Sequence, residues 1–122
     1  MSDPNAQYGF NSKIFPCATE LAISLLSGRW KMTIIWKLRD GKKRYGELKS
    51  SIPGITHKML AQQLRELEEI GILQRYVYPV VPPKVEYELT ALGHGLTPIL
   101  EQLDQWGEHF RLPERESLLS NR

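Results

Sequence analysis

The chain predicts an α+β fold, mostly helical, on three observations. A stretch with helix signals at both ends runs from Thr56 to Ile70. Two runs rich in β-formers, 72–78 and 84–89, flank a proline-rich loop, and apolar residues recur at alternating steps of four and three from Leu92 to Phe110. At 122 residues, 41% hydrophobic and 25% charged, the sequence suits one soluble domain with a modest core. We expect an arm over 1–16, a folded domain over 17–112 and a charged, frayed tail over 113–122.

Composition excludes several classes. No apolar run approaches the ~20 residues of a membrane span. The N-terminus lacks the basic and apolar regions of a secretion signal, so the expected location is cytoplasmic. The single cysteine, Cys17, rules out an intramolecular disulfide and leaves too few thiolates for the usual cysteine-rich zinc sites. His57, His94 and His109 are scattered without a carboxylate pair or nucleophile, so we assign no catalytic residue, no metal ligand and no cofactor. Net charge is only +2, but Arg29 to Arg65 carries ten Lys or Arg against Asp40 and Glu47, a local balance of +8, and acids dominate from Glu66 onward. That division suits a phosphate-facing side and a solvent- or partner-facing side. A plain solvated charge run is the alternative.

Taken in order, residues 1–15 contain Pro4 and Gly9, with Pro16 next, and read as an extended, irregular arm. Leu21, Leu25 and Leu26 predict a short helix over 18–26, stopped by Ser27-Gly28. Trp30, Ile34, Ile35 and Leu38 form the stripe of a second helix, with Lys31 and Lys37 off it and Asp40-Gly41 as its stop. Lys42-Lys43-Arg44 then crosses in extended form into a helix over 45–52 whose Leu48 and Ile52 point inward. The tight turn Pro53-Gly54-Ile55, with Ile55 as an apolar plug, joins it to the Thr56–Ile70 helix.

In that last helix Thr56 is a good N-cap and Gly71 a good stop. Leu60, Leu64 and Leu67 share one face, and Lys58, Gln62 and Arg65 lie near the opposite one. At ~1.5 Å per residue the helix is about 22 Å long, and a major groove ~12 Å wide admits it. Two strands around Pro79-Val80-Val81-Pro82-Pro83, directly after a helix-turn-helix, make a wing. Beyond it, Thr90 caps a helix with a heptad-type seam of Leu92, Leu96, Ile99, Leu103, Trp106 and Phe110, and Pro98 predicts a kink near Leu96. The architecture is a winged helix-turn-helix with additional N- and C-terminal helices forming a dimer interface, to which we assign Leu21, Leu96, Ile99, Leu103, Trp106 and Phe110.

For nucleic acid, the exposed N-terminal part of the long helix selects Thr56, His57, Lys58, Gln62 and Arg65. Gln62 has the fork that reads adenine, Arg65 suits guanine or a phosphate, and Lys58 a phosphate. His57 sits partway toward the core face, where capping or packing is the alternative. Arg44, before the first helix of the motif, and Lys84, at the wing base, are candidate phosphate anchors. Cys17 stands where a helix begins, and helix N-termini favour thiolates in general. Its alternative is a small buried apolar residue. Trp30, Trp36, Tyr87, Trp106 and Phe110 leave room for a small-molecule effector at a dimer interface, against the simpler reading as core.

Cys17 thirteen positions before Trp30 of Gly28-Arg29-Trp30, then Asp40-Gly41 with Arg44-Tyr45-Gly46-Glu47-Leu48, begin a longer pattern. Pro53-Gly54-Ile55-Thr56, Leu64-Arg65-Glu66-Leu67-Glu68, Pro82-Pro83-Lys84-Val85-Glu86-Tyr87, Leu89-Thr90 and Trp106 continue it. In this order and spacing the chain, from Cys17 to Phe110, resembles the HxlR family (DUF24) of winged helix-turn-helix transcription regulators of bacteria. The resemblance implies a homodimer built largely from the first and last helices, binding pseudo-palindromic double-stranded operator DNA to repress or activate nearby genes. It also implies a cysteine that senses oxidants or electrophiles. The family often has proline directly after that cysteine, whereas here Pro16 precedes Cys17 and Ala18 follows it. A winged helix that binds protein, and a small enzyme or ligand carrier, are the rival classes. The basic segment argues against the first and the missing acid-base or metal constellation against the second.

Overall fold

The computed structural model describes residues 3–113, so the expected tail lies outside the described residues except for Pro113. The arm is ordered rather than irregular over residues 8–15. Strands β1 (Tyr8–Phe10) and β2 (Lys13–Phe15) form an antiparallel hairpin in which Tyr8 faces Phe15 and Phe10 faces Lys13. Asn11 and Ser12 turn it with φ of 49° and 66°, the left-handed pair that matches strand twist in a two-residue turn. Asparagine and serine reach that geometry without a glycine because their short polar side chains bond locally. Tyr8, Phe10 and Phe15 are half-buried, and the hairpin rests on helix α1 (Ala18–Leu26).

Helix α2 (Lys31–Lys37) buries Ile34 and Ile35 completely, with Leu38 just past its end. Strand β3 (Lys43–Arg44) leads into α3 (Tyr45–Ser51), where the Arg44 backbone N–H donates to Glu47 Oε1 at 2.9 Å. Leu48, Ile52 and the plug Ile55 are all buried. Helix α4 (His57–Ile70) starts as its chemistry requires: Thr56 Oγ1 accepts from the Met59 N–H at 3.1 Å. It stops at Gly71, whose φ of 93° only glycine adopts cheaply. Leu60, Leu64 and Leu67 fall in the core, each leucine contributing about 1.5–3 kcal/mol by burial.

Strands β4 (Leu73–Tyr78) and β5 (Lys84–Leu89) pair antiparallel from Leu73 opposite Leu89 to Tyr78 opposite Lys84. The short β3 adds to the other edge of β5, Lys43 opposite Tyr87, giving the order β3-β5-β4. Tyr87 and Leu89 point into the core, as period-2 alternation requires.

The expected kink is a full break. Helix α5 (Ala91–His94) closes through bonds from the Gly95 N–H to Leu92 O and the Leu96 N–H to Gly93 O, and α6 (Thr97–Gly107) restarts with Pro98 in its first turn. Proline has no N–H to give to the His94 carbonyl, so the ladder cannot cross that point. A single 3-10 turn, Glu108–Phe110, ends the described helices. The Thr90 hydroxyl lies within hydrogen-bond reach of the Gly71 and Ile72 carbonyls, fastening the start of α5 to the end of α4. Gly93 lies so close to the Ile72 carbonyl that a side chain there would collide with backbone.

Candidate nucleic-acid interface

The leucine face of α4 packs into the core beside α2 and strand β4, so its opposite face is presented outward. Lys58, Gln62 and Arg65 are exposed on it, and Arg65 Nη1 donates to Gln62 Oε1 at 3.2 Å. That bond holds the two side chains side by side. Thr56 is spent on its cap, though its O–H remains a donor.

His57 has a partner that spacing did not reveal. The Tyr45 hydroxyl lies 3.2 Å from both His57 Nδ1 and the His57 carbonyl, and the two rings stack at 5.8 Å with an interplanar angle of 10°. Tyr45 opens α3 and His57 opens α4, so the pair braces the two helices of the motif at their shared end. Arg44, exposed beside Tyr45, stands at the β3–α3 junction. Lys84 is engaged rather than free: its Nζ sits 4.7 Å from the Tyr78 ring centroid and 3.8 Å from Glu86. A hydrogen bond from Tyr78, with the nearby Lys84, Lys42 and Arg44 cations, holds the Glu86 carboxyl below its ordinary range. A cleft of about 810 Å³ separates the start of α3 from the wing, and Val81 at the wing tip is fully exposed.

The basic segment is not one phosphate-facing surface. Lys31 was expected on the outward side of α2 but is 9% exposed, its Nζ donating to Gln63 Oε1 at 3.0 Å and Glu66 Oε2 at 2.9 Å. A buried ammonium needs such partners, and α4 supplies them from two positions three apart. Arg39 stacks on Trp36 at 3.8 Å, Arg29 on Trp30 at 4.4 Å and Lys42 on Tyr76 at 4.1 Å. Nothing in local periodicity announces a bond between residues 31 and 66, so sequence reasoning missed this tie.

The tie titrates. The Lys31 hydrogen bond, aided by its charge, holds the Glu66 carboxyl below the ordinary glutamate value, so the folded state favours the ionised form. Its stabilisation is complete above the unfolded value of ~4.3 and is lost as pH falls through the lower folded value. Glu66→Gln is therefore expected to flatten the decline of the melting temperature on acidification below about pH 4. Melts followed by circular dichroism test this, and equal slopes for the two proteins would discount the tie.

Cys17 is the N-cap residue of α1 in extended conformation, and it is exposed rather than buried. Of the residues assigned to a dimer interface, Ile99, Leu103, Trp106 and Phe110 are 47–67% exposed along α6 and the turn after it. Leu96 is half-buried against the core, and Leu21 faces its own hairpin across a small cavity. Trp106 and Phe110 pack on each other at 5.1 Å. Among the described residues no helix is long and apolar enough to cross a membrane.

Residues 25–115 match the family model described as HxlR-like helix-turn-helix. The chain belongs to that family. Among relatives of the HxlR-like chain, the HTH-type transcriptional regulator YkvN of Bacillus subtilis is 49% identical over 98 residues, 80% of this chain and 83% of YkvN. An HTH-type transcriptional regulator of Methanothermobacter thermautotrophicus is 46% identical over 94 residues, 77% of this chain and 72% of the relative. Among solved structures, the redox regulator HypR in its oxidized form superposes with a TM-score of 0.74 at 46% identity, covering 80% of this chain and 100% of HypR. The reduced form of the transcriptional regulator YodB from B. subtilis gives 0.67 at 43%, covering 77% and 93%. The HxlR-like chain is thus a DNA-binding, helix-turn-helix transcription regulator and not an enzyme. Its β1–β2 hairpin and Cys17 precede the span matched by the family model.

Proposed function

We propose that the protein is a cytoplasmic homodimer that places α4 of each subunit in successive major grooves of a pseudo-palindromic operator. The observation that carries this is the fixed outward face of α4, where Lys58, Gln62 and Arg65 stand exposed over a fully buried leucine face. In this reading Gln62 and Arg65 read base edges, while Thr56, Lys58 and Arg44 hold phosphates, as does Lys84 once it exchanges Glu86 for one. His57 acts through its stack on Tyr45, setting the angle between α3 and α4. Glu68 and Glu69 repel phosphate and keep the end of α4 out of the groove.

The second subunit covers the α6 seam. Three large apolar side chains on α6 and Phe110 in the turn after it are more exposed than a monomer of this size normally leaves them. An apolar groove between α1 and α5, lined by Ala22, Leu26, Leu92 and Leu96, continues that surface. Two-fold symmetry then sets half-sites one or two helical turns of ~34 Å apart. Selection of bound DNA from a random pool tests the whole reading, with a symmetric site expected; asymmetric or absent enrichment would overturn it.

Cys17 is the switch in this proposal. It is exposed, it is the only thiol of the chain, and the structural neighbours include proteins described as a redox regulator in oxidized and reduced forms. Its outcomes are an intersubunit disulfide, a mixed disulfide with a small thiol, or alkylation. Cys17→Ser is expected to abolish oxidant-induced release of DNA in a shift assay, and release that persists in the variant would remove Cys17 from the mechanism.

A further inference from the structure

Beneath the N-terminal hairpin lies a cavity of about 290 Å³ that neither the DNA-facing surface nor the α6 seam uses. Its apolar wall comes from Phe10 and Phe15 of the hairpin and Leu25 of α1. Lys31, Glu66 and Glu69 close the side toward α2 and α4, Lys13 lies on β2, and the uncharged Asn11, Leu21, Ser24 and Ile70 complete the lining. The volume falls just below the ~300–1,000 Å³ typical of small-molecule sites, which limits an occupant to a compact molecule.

Charge decides the class of occupant. Lys31 and Glu66 satisfy each other at 2.9 Å. That leaves Lys13 and Glu69, opposite charges on two different elements, both exposed and neither in an ion pair among the described residues. A simple anion would meet Glu69 and a simple cation would meet Lys13, each without compensation. A molecule carrying both charges, with an apolar group for the phenylalanine wall, answers the two unpaired charges and the apolar wall together. We propose that this cavity binds a free amino acid with an apolar side chain, its carboxylate toward Lys13 and its ammonium toward Glu69. Such an occupant links the hairpin to α4 next to the Lys31–Glu66 tie, so its regulatory meaning rests on the DNA-binding reading above, while its binding does not.

The test is calorimetric titration of the full reduced protein, without DNA, against the twenty common amino acids. For the tightest binder, its analogue lacking the amine and its analogue lacking the carboxylate are titrated in parallel. One apolar amino acid is expected to bind about tenfold or more tighter than either analogue, as the loss of one charge-assisted contact implies. Lys13→Gln and Glu69→Gln, both at exposed positions, should each weaken it by a similar factor at unchanged melting temperature. Absence of heat with all twenty, a deaminated analogue that binds equally well, or full affinity in both variants would overturn the proposal. Because no DNA is present, these failures leave the operator reading standing, and failure of operator binding leaves this one.

Discussion

Arg65→Ala is expected to weaken operator binding by about 30-fold to 10⁴-fold. A side chain that reads a base edge is worth roughly 1–3 kcal/mol, and a two-fold complex loses it at both half-sites, hence about 2–6 kcal/mol. Stability should change little, because Arg65 is exposed and, among the described residues, its side chain hydrogen-bonds only Gln62. The loss should also depend on sequence, greatest for the selected site and small for random DNA. Lys58→Ala supplies the contrast: its weakening should be uniform across sequences, with a shallower salt dependence. Anisotropy titrations over a salt series separate the two patterns. Unchanged affinity in both variants would show that the outer face of α4 is not the reading surface.

Leu103→Asp combined with Trp106→Asp is expected to give a folded monomer that has lost specific binding. Both side chains are exposed in the single chain, at 47% and 63%, whereas Leu100, which anchors α6 to the core, is 9% exposed and untouched. Two buried carboxylates per subunit cannot be accommodated in an apolar seam. A lone subunit reads half a site, so its affinity should approach the ~10⁻⁴–10⁻⁶ M of non-specific binding rather than the ~10⁻⁸–10⁻¹¹ M typical of specific complexes. Sedimentation equilibrium gives the assembly state directly. A double variant that still sediments as a dimer would place the interface elsewhere.

The parts of this fold that were legible in the sequence are those whose cause is local. Thr56 and Gly71 bound α4 because a hydroxyl cap and a left-handed stop act on adjacent backbone. The wing strands declared themselves by alternation and by the proline run between them. What escaped was decided at a distance. Lys31 looked like one more surface cation until Gln63 and Glu66, on another helix, met it. The hairpin lacks a local signal for a different reason: Asn11-Ser12 turns the chain without glycine, and Pro4, Gly9 and Pro16 read as breakers around the short strands of Tyr8, Phe10 and Phe15. At Pro98 the cause was seen and its extent understated, since a missing donor and a nearby Gly95 together convert a bend into two helices. Of the candidate DNA residues, Lys58, Gln62 and Arg65 are exposed on the outer face of α4, whereas His57 and Lys84 contact neighbours that only tertiary structure provides.

In the proposed homodimer, the break at Gly95–Leu96 would give α6, held to the core at Leu100, the part of a lever arm that starts where α5 ends. Eleven helical residues at ~1.5 Å each give an arm of about 16 Å. A swing of about 10° at the pivot moves its far end by about 3 Å, close to the ~3.4 Å step from one base pair to the next. With the arms of two subunits clamped together, a change of angle too small to disturb either core would carry the paired α4 helices out of register with their half-sites.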